Sequence, residues 1–561
     1  MEQIIKKEAR MNTGKYTCIE VFAKSKTGKS ESVKVISGNG KCQEQEVGTF
    51  YYEWIKFKVS KNEDYVIDTH NCAVSLCYLS GSDDLLDSGV CYLEPDSAGE
   101  MCIRESKKQY NSPIREQYHF VPWKNWMNDP NGLCWYQGRY HMFYQFNPHS
   151  QEWSNMYWGH AVSKDLIHWV HLPVVLEPQE EILKNPQNIK GGAFSGSAVV
   201  LDNEVVFYLT RHIGPLKDCE ETVQKQWMMK SQDMIHFTPE QLMIEKRPEN
   251  ASFHFRDPKV LKVKDTWYMV LASAMNDKAA ILLYSSKDME NWKYLHPLLI
   301  EETEGIECFE CPDFMELDGK YLALGAWMCH YDEQNRYQMS RYYIGEFENE
   351  QFRKESEGWF DFGSNCYAMQ SFCHEGRRIN IGWISDFYKE HLEWNGGAYG
   401  SMTIPREMHI RDGRLFLTPV EEIDLLEGEI LYSGEKENIN LNQIPGNTYR
   451  ARITFNEETE FSILLGKDNE KEILLLNDKK GVRIQTRGVR SENILFKADV
   501  EKVEFLDIFV DHRVIEVYIN EGEAVGTKLF YNTSESGCFM LNAEKQEAVK
   551  KAEISLMKSI W

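Results

Sequence analysis

The sequence predicts an all-β chain in which a five-bladed β-propeller is followed by a C-terminal β-sandwich and preceded by another β-rich domain. Two phrases support the propeller, because each recurs along the chain and the two stay in phase. After the last repeat, the sequence changes to strand-like runs separated by charged turns, and this change supports the sandwich. With 561 residues, the chain is long enough for two or three domains.

The first recurring phrase is a polar turn followed by an apolar run rich in β-branched and aromatic residues. It occurs five times, with turns near positions 138, 203, 265, 319 and 376, about 53 to 66 residues apart. A turn followed by such a run is typical of the second strand of a hairpin. Each turn also follows another β-prone run, so the phrase predicts five hairpins at a regular period.

The second phrase lies after the hairpin in three of the repeats. It reads SKDLIHW at 163–169, SQDMIHF at 231–237 and SKDMENW at 286–292. The second phrase indicates that further, outer strands follow each hairpin. Repeated units of this kind are typical of four-stranded propeller blades arranged around a central channel. An irregular β-sandwich with coincidental turns is the alternative, and the common phase of the two phrases over about 250 residues favours the propeller.

These patterns predict three domains. Residues 1–112 contain strand-like runs without a recognisable motif and are assigned to an N-terminal β-rich domain of unknown role. The propeller is predicted over 113–425. Alternating strand-like runs separated by charged turns then predict the β-sandwich over 426–561.

Composition excludes several classes of partner. The chain has 63 basic and 87 acidic residues, for a net charge of −24, and such a surface repels nucleic acids and anionic membranes. No apolar run is long enough for a signal peptide or a membrane span, so a cytoplasmic location with reduced thiols is expected. The oligomeric state stays open.

Carboxylates recur near the start of the innermost strand in three of the predicted blades. Asp129, Asp257 and Glu310 lie eight or nine residues before a hairpin turn, and a proline follows each of them closely. Inner strands of a propeller line its central channel, so the three carboxyl groups should converge at one mouth and raise at least one pKa by mutual repulsion. A single Asp-Pro would more simply be a turn residue, but three in register favour a site.

Clustered carboxylates in an aromatic pocket suit the cleavage of glycosides. One ionised carboxylate attacks the anomeric carbon while a second, protonated carboxyl group donates to the leaving oxygen. A calcium site is the alternative for such a cluster. The DxDxDG pattern of a calcium loop is absent, and Arg256 beside Asp257 opposes a cation, so no metal is expected here.

Seven motifs in order resemble glycoside hydrolase family 32, the family of invertases, fructanases and sucrose-6-phosphate hydrolases. They are WMNDPNG at 126–132, FYQFNP at 143–148, WGHA at 158–161, FSGSA at 194–198, FRDP at 255–258, FEC at 309–311 and IPRE at 404–407. The resemblance continues into the predicted sandwich through DHRVIEVYINEG at 511–522.

The resemblance implies a retaining β-fructofuranosidase that hydrolyses terminal fructose from sucrose, fructo-oligosaccharides or fructans without a cofactor. It implies Asp129 as the nucleophile, Glu310 as the general acid/base and Asp257 as the transition-state stabiliser. The residues implied to line the fructose pocket are Asn128, Gln145, Trp153, Phe194, Ser195 and Arg256.

Two features depart from the family pattern. The phrase YAMQSF at 367–372 has Met369 where the family usually has proline, and the N-terminal domain is longer than in simple invertases. Both bear on the length of the substrate and on the leaving group. The identity of the fructoside and the choice between exo and endo cleavage stay open.

Two other functions are compatible with the same fold. A fructosyltransferase differs only in whether a sugar hydroxyl or water meets the fructosyl-enzyme. A carbohydrate-binding propeller without catalysis would be expected to lose at least one of the three acids, and this chain retains all three.

Some chemistry-bearing residues are interpreted as structural. His160 and His254 flank motif positions, but a retaining glycosidase needs no histidine, so both are expected to be satisfied pocket or strand residues. Cys308 and Cys311 have CxxC spacing without matching partner ligands, which argues against zinc.

Overall fold

The computed structural model of the chain describes residues 11–112, 115–185, 189–214, 222–390, 397–531, 534 and 536–561. Residues 1–10, the start of the segment in which no signal peptide is predicted, lie outside the described residues. Among the described residues, no helix is long and apolar enough to cross a membrane. Strands account for 59% of the residues and helices for 4%, which confirms the all-β prediction.

Two antiparallel sheets form the N-terminal region, one with the order β1-β6-β3-β4 and the other with the order β5-β2-β7-β8-β9. They share one apolar core that includes Val21, Val35 and Phe57. The strands are β1 (Met11–Asn12), β2 (Cys18–Ser25), β3 (Glu31–Ser37), β4 (Cys42–Val47), β5 (Glu53–Lys58), β6 (Asp64–Asp68), β7 (Cys72–Ser80), β8 (Cys91–Pro95) and β9 (Met101–Ile103). Short helices α1 (Leu85–Ser88) and α2 (Ser106–Tyr110) follow β7 and β9.

Five antiparallel sheets succeed one another in the middle of the chain, and in each the first strands are consecutive in sequence. The strands of the first three are β10 (Asn125–Tyr136), β11 (Arg139–Asn147), β12 (Tyr157–Ser163) and β13 (Trp169–Leu176); β14 (Gly191–Val200), β15 (Val205–Ile213), β16 (Val223–Ser231) and β17 (Gln241–Ile244); and β18 (Ala251–Val263), β19 (Thr266–Met275), β20 (Lys278–Ser286) and β21 (Lys293–Ile300). Helix α3 (Glu180–Leu183) precedes the second sheet.

The fourth and fifth sheets complete the series. Their strands are β22 (Phe309–Leu317), β23 (Lys320–Trp327), β24 (Ser340–Glu348) and β25 (Gln351–Trp359), then β26 (Cys366–His374), β27 (Arg377–Ile384), β28 (Ala398–Tyr399), β29 (Ser401–Met402), β30 (Arg406–Arg411) and β31 (Arg414–Pro419). Strand β28 follows β27 in sequence but belongs to the first sheet, where it pairs in parallel with β10, through Asn125 opposite Ala398.

The first strands of the five sheets form a closed ring. Strand β10 contacts β14, β14 contacts β18, β18 contacts β22, β22 contacts β26, and β26 contacts β10 again. The parallel pairing of β28 with β10 adds hydrogen bonds where the ring closes. Side chains on these five strands therefore meet at a common axis.

The repeated SxD phrase forms the same turn in the first three sheets, between the third strand and the residues that follow it. Asp165, Asp233 and Asp288 each accept hydrogen bonds from the backbone N–H groups two and three residues later. Such Asx turns satisfy backbone donors that would otherwise be left without partners. The phrase thus marks the outer edge of each sheet.

The C-terminal region is a pair of six-stranded antiparallel sheets. Their orders are β32-β43-β34-β39-β40-β41 and β33-β42-β35-β36-β37-β38, and they enclose one apolar core. The strands are β32 (Glu427–Gly434), β33 (Ile439–Pro445), β34 (Thr448–Phe455), β35 (Phe461–Asp468), β36 (Lys471–Asp478), β37 (Gly481–Arg487), β38 (Phe496–Lys497), β39 (Phe505–Asp511), β40 (Val514–Ile519), β41 (Ala524–Leu529), β42 (Ser536–Ala543) and β43 (Val549–Met557). Two 3₁₀ helices, Glu421–Leu426 and Gln546–Ala548, precede β32 and β43.

Buried charges join this pair of sheets to the ring. His119 lies between Asp511 (Nδ1 to Oδ2, 2.9 Å) and Glu516 (Nε2 to Oε1, 3.1 Å). Arg406 donates to Glu516 over 2.8 Å and lies 3.3 Å from Asp361. Burial alone would lower the pKa of His119, but its hydrogen bonds to the two carboxylates raise it to about 9. The junction therefore holds opposite charges that satisfy one another away from water.

Candidate active site

A β-bulge interrupts each of the five ring strands at the same level. In four of them two residues face a single residue of the neighbouring strand, at 128–129, 257–258, 311–312 and 368–369. In β14 the unpaired residue is Ser195. A bulge bends the strand and redirects its side chains, and bulges are frequent next to active sites.

Three bulge residues adopt a left-handed backbone conformation that non-glycine residues rarely occupy. The φ angles are 61° at Asp257, 45° at Cys311 and 51° at Ala368. Each such residue costs about 1–3 kcal/mol and persists where the surrounding structure enforces it. Three backbone positions of this kind therefore lie at the level of the ring where the three predicted acids lie.

The three acids share this level but differ in register. Asp129 is the second residue of its bulge, Asp257 is the first, and Glu310 lies just before its bulge. The sequence alignment on the hairpin turns placed them at equivalent positions, and the structure refines that placement by one residue on either side.

Asp129 accepts three hydrogen bonds. Its donors are the hydroxyl of Ser195 (2.5 Å), the side-chain amide of Asn128 (3.0 Å) and the thiol of Cys311 (3.3 Å). Burial raises the pKa of Asp129, as does the charge of Glu310, whereas the three donors lower it by stabilising the ionised form. Burial is the largest of these effects, so the pKa of Asp129 is raised overall, and the three donors limit that rise.

Glu310 is held at both oxygens by neighbours in adjacent sheets. Arg256 donates to Oε1 over 3.0 Å, and the hydroxyl of Tyr367 donates to Oε2 over 2.7 Å. About a quarter of its side chain stays exposed, at 23%. Glu310 thus has a fixed orientation and an open side toward the cavity.

Asp257 is buried at the back of the site. Its Oδ2 accepts the backbone N–H of Cys311 over 2.8 Å, and its own N–H donates to Thr210. Burial raises the pKa of Asp257 to about 7, an effect that Arg256 opposes and the charge of Asp129 reinforces. Burial, more than the repulsion predicted from sequence, is therefore the main cause of the raised pKa values.

Arg256 is part of a chain of polar contacts that reaches the surface. Its Nη1 donates to Nδ1 of His254 over 2.6 Å, so the proton of this imidazole is on Nε2. That nitrogen lies 2.9 Å from Oε1 of Glu307. Burial and the charge of Arg256 lower the pKa of His254 to about 4, so the ring is neutral near pH 7. His254 positions Arg256, which in turn holds Glu310.

All nine predicted site residues line one cavity of about 320 Å³. It also contains residues that the sequence analysis did not assign to the site, including His212, Gln224, Phe253, Met328, Tyr367 and Trp383. Trp153 and Phe253 lie at its mouth with exposed fractions of 46% and 44%. Trp153, the tryptophan expected to face a sugar, thus opens onto the cavity.

The other interpreted residues have structural surroundings. His160 is buried, stacks on Phe143 at 4.0 Å and lies 3.1 Å from His141. Cys308 accepts from Arg256 and Cys311 donates to Asp129, so both thiols have partners other than a metal. Among the described residues there is no group of three or more His, Cys, Asp or Glu side chains placed to hold a metal ion.

Tyr367 and Cys311 contact the predicted acids directly and were not predicted from sequence as site residues. Tyr367 begins YAMQSF, a phrase noted only for Met369, and it occupies the same register before its bulge as Glu310 does. Cys311 was considered only as a metal ligand. Aligning the fifth repeat with the fourth on the bulge would have drawn attention to Tyr367.

The N-terminal sheets contact the loop that carries Trp153. Tyr52 stacks on His149 with ring centroids 4.3 Å apart, and the hydroxyl of Ser75 lies 2.7 Å from Nδ1 of the same histidine. Asn147 binds the other side of the loop through Ser150 and the carbonyl of Glu152. The N-terminal sheets therefore contact the loop that leads to Trp153.

The ring of strands brings several carboxyl groups together in a cavity lined by aromatic residues. This arrangement is typical of glycoside hydrolases that use a pair of carboxylates. The family model described as "Glycosyl hydrolases family 32 N-terminal domain" matches residues 119–419 of the chain. The model described as "Glycosyl hydrolases family 32 C terminal" matches residues 427–556. The chain belongs to glycoside hydrolase family 32, as the sequence motifs indicated.

Relatives and solved structures support this membership. The chain is 33% identical over 480 residues to a sucrose-6-phosphate hydrolase of Escherichia coli, covering 81% of this chain and 96% of the relative. It is 30% identical to a levanase of Bacillus subtilis, covering 81% and 72%. A glycoside hydrolase family 32 structure from Bifidobacterium adolescentis superposes with a TM-score of 0.90 at 30% identity, covering 98% of this chain and 99% of that one.

Proposed function

We propose that the chain is a retaining β-fructofuranosidase that releases terminal fructose from sucrose or from fructo-oligosaccharides and fructans. Its relatives support the general activity, and the chain is a glycoside hydrolase acting on fructosides. The observation that carries the finer proposal is the pairing of two differently held carboxyl groups in one cavity. Asp129 has three donors that favour its ionised form, and Glu310 is oriented with an open side.

The first step of the proposed reaction forms a fructosyl-enzyme. Oδ of Asp129 attacks the anomeric carbon, the glycosidic C–O bond breaks, and Glu310 gives its proton to the leaving oxygen. In the second step Glu310 removes a proton from water, which displaces Asp129 and restores both carboxyl groups. The two inversions together retain the configuration of the fructose.

Asp257 has the role of stabilising the transition state. With a pKa of about 7 it is partly protonated near neutral pH, so it can both donate to and accept from fructose hydroxyls. Asn128, Gln145, Ser195 and Arg256 line the same cavity and supply further polar contacts, while Trp153 and Phe194 supply apolar surface. Aromatic faces bury the C–H surface of a sugar ring.

The domain organisation belongs to the same proposal. Each of the five sheets is one blade of a five-bladed propeller over 113–425, with the N-terminal domain at 1–112 and the sandwich at 426–561. The closed ring of first strands supports the blade count. The free thiol of every cysteine in the described residues supports the cytoplasmic location.

Product analysis tests the activity and separates it from transfer. The enzyme is incubated with sucrose, kestose, inulin and levan, and the products are followed over time by chromatography. Free fructose as the main early product is the expected result, whereas a growing ladder of longer oligosaccharides would indicate a fructosyltransferase. NMR of the first-formed sugar should show β-fructose, and α-fructose would contradict retention.

The geometry of the two carboxyl groups gives a second test. A retaining enzyme requires about 5–5.5 Å between them, and an inverting enzyme about 6.5–9.5 Å. A crystal structure is expected to place the carboxyl groups of Asp129 and Glu310 at the shorter separation.

A further inference from the structure

The second sheet of the ring places a histidine on the wall of the active-site cavity. His212 belongs to β15, is half-buried, and lines the cavity beside Phe194 and Gln224. The residue directly opposite His212 in β14 is Gly192, which has no side chain. The imidazole stacks on Phe194, with the ring centroids 4.2 Å apart and an angle of 14° between the planes. The ring of His212 therefore lies flat against an aromatic neighbour.

Gln224 determines which nitrogen of His212 carries the proton. Oε1 of Gln224 accepts the backbone N–H of Phe255 over 2.6 Å, so its amide nitrogen is the group that faces His212. This nitrogen lies 3.0 Å from Nδ1 of His212. Because an amide N–H can only donate, Nδ1 is the acceptor, and the proton of the neutral ring is on Nε2.

The other nitrogen of His212 is an unused donor. Burial and the charges of Arg256 and His254 lower the pKa of His212 to about 3, so the ring is neutral near pH 7. Within the part of the chain that the structure describes, the side chain of His212 has one hydrogen bond, the contact of Nδ1 with Gln224. His212 thus presents a single N–H donor, at Nε2, on the cavity wall.

His212 lies on the side of the cavity that suits the leaving group. The charge of Arg256 acts on His212, and Arg256 also donates to Glu310, the proposed acid for the leaving oxygen. Ser195, which donates to Asp129, is buried, whereas His212 is half-buried. A fructose unit held against Asp129 therefore leaves His212 to the next unit of the substrate.

We propose that His212 binds the leaving sugar, and that its Nε2–H donates a hydrogen bond to a hydroxyl oxygen of that sugar. This inference rests on the proposed fructoside hydrolysis and names the preferred substrates as fructosides whose leaving group is itself a sugar. Phe194 supports the imidazole by stacking, and Gln224 holds the tautomer that donates. An alkyl leaving group offers no hydroxyl oxygen, so it gains nothing from His212.

Two substrates that differ in the leaving group test the proposal. Sucrose releases glucose, whereas methyl β-fructofuranoside releases methanol. His212→Phe keeps an aromatic ring for the stack on Phe194 but has no N–H. We expect kcat/KM of this variant on sucrose to fall about two- to tenfold, the range that one neutral hydrogen bond supplies. Its kcat/KM on methyl β-fructofuranoside should be unchanged.

Two further variants make the comparison specific. His236→Phe is the matched control, because His236 follows β16 in the same sheet and its side chain is exposed beside Asp233. It should leave both kcat/KM values unchanged. His212→Gln carries an amide N–H that can replace the imidazole donor, so it should retain more activity on sucrose than His212→Phe does.

Deoxy analogues of sucrose identify the acceptor. Each hydroxyl group of the glucose unit is removed in turn, and kcat/KM is measured for wild type and for His212→Phe. Removal of the hydroxyl that His212 binds should lower kcat/KM in wild type and have no further effect in the variant, because one hydrogen bond can be lost only once.

Three results would each overturn the proposal: equal losses of His212→Phe on sucrose and methyl β-fructofuranoside, no loss on either, or losses that multiply with those of every deoxy analogue. A His212→Gln variant no better than His212→Phe on sucrose would also overturn it. These results refute only the role of His212 when the wild-type enzyme hydrolyses both substrates. A wild-type enzyme inert on every fructoside refutes the proposed activity instead.

Discussion

Arg256 donates a 3.0 Å hydrogen bond to Glu310 from the first strand of the neighbouring sheet. The two residues are 54 positions apart in sequence, and both belong to short motifs at the ring level where the bulges occur. With Tyr367 on the opposite oxygen, this contact gives Glu310 one orientation relative to Asp129. Four predictions test the roles of these acids and of the cysteines beside them, and a fifth tests the contacts between the ring and the C-terminal sheets.

Asp129→Ala should cause the largest loss of activity. The proposed covalent intermediate forms on Asp129, so kcat is expected to fall at least ~10⁴-fold with the fold unchanged. Activity on sucrose and the melting temperature are the measurements, with the exposed Asp265→Ala as control. A variant that keeps a tenth of wild-type activity would refute the nucleophile.

Glu310→Ala should depend on the leaving group. A fructoside with a good leaving group needs little proton donation, so its hydrolysis should be far less impaired than that of sucrose. The measurement is the ratio of kcat/KM values for the two substrates in wild type and variant. Equal losses on both would show that Glu310 is not the acid.

Asp257→Asn should change how stability depends on pH. A carboxyl group whose folded pKa is about 7, above its ordinary value of 3.8, binds its proton more tightly in the folded state. Its contribution to stability is therefore lost as pH rises from about 4 to about 7. The difference in unfolding free energy, variant minus wild type, should become more positive over this range in urea titrations; a flat difference would contradict the raised pKa.

His119→Gln should destabilise the junction between ring and sandwich. Asp511 would then be buried without its cation, and Glu516 would keep only Arg406, which is expected to cost roughly 3–5 kcal/mol. Because the folded pKa of His119 is raised to about 9, this stabilisation is complete below its unfolded value of 6.5 and is lost as pH rises through 9. Melting temperatures from pH 6 to pH 10 measure it.

The surface pair of His168 and Asp165 provides the control for that experiment. His168 lies 2.8 Å from Asp165 with about half of its side chain exposed, so His168→Gln should shift the melting temperature little at any pH. Similar effects of the two substitutions would mean that the buried contacts of His119 do not stabilise the junction.

Exhaustive treatment with EDTA should leave activity unchanged. Asp129 balances the positive charge of the oxocarbenium-like transition state, and the thiols of Cys308 and Cys311 have partners in Arg256 and Asp129. Elemental analysis should find no stoichiometric zinc. Activity restored only by an added metal would overturn the two-carboxylate mechanism.

The sequence by itself determined the repeat, the three acids and the family. The hairpin turns and the SxD phrases form local turns that depend only on neighbouring residues and recur from sheet to sheet. They can therefore be recognised from the sequence without the tertiary structure. The motifs around Asp129, Asp257 and Glu310 are similarly short and contiguous.

Only the tertiary structure decided the registers of the acids and their partners. A bulge shifts a side chain by one residue without any sequence signal, which is why Glu310 lies beside Tyr367 of the fifth sheet and Asp129 beside Cys311 of the fourth. The stacking of Tyr52 on His149, near Trp153, joins the N-terminal sheets to the ring of strands. Such contacts join residues far apart in sequence, and no local pattern encodes them.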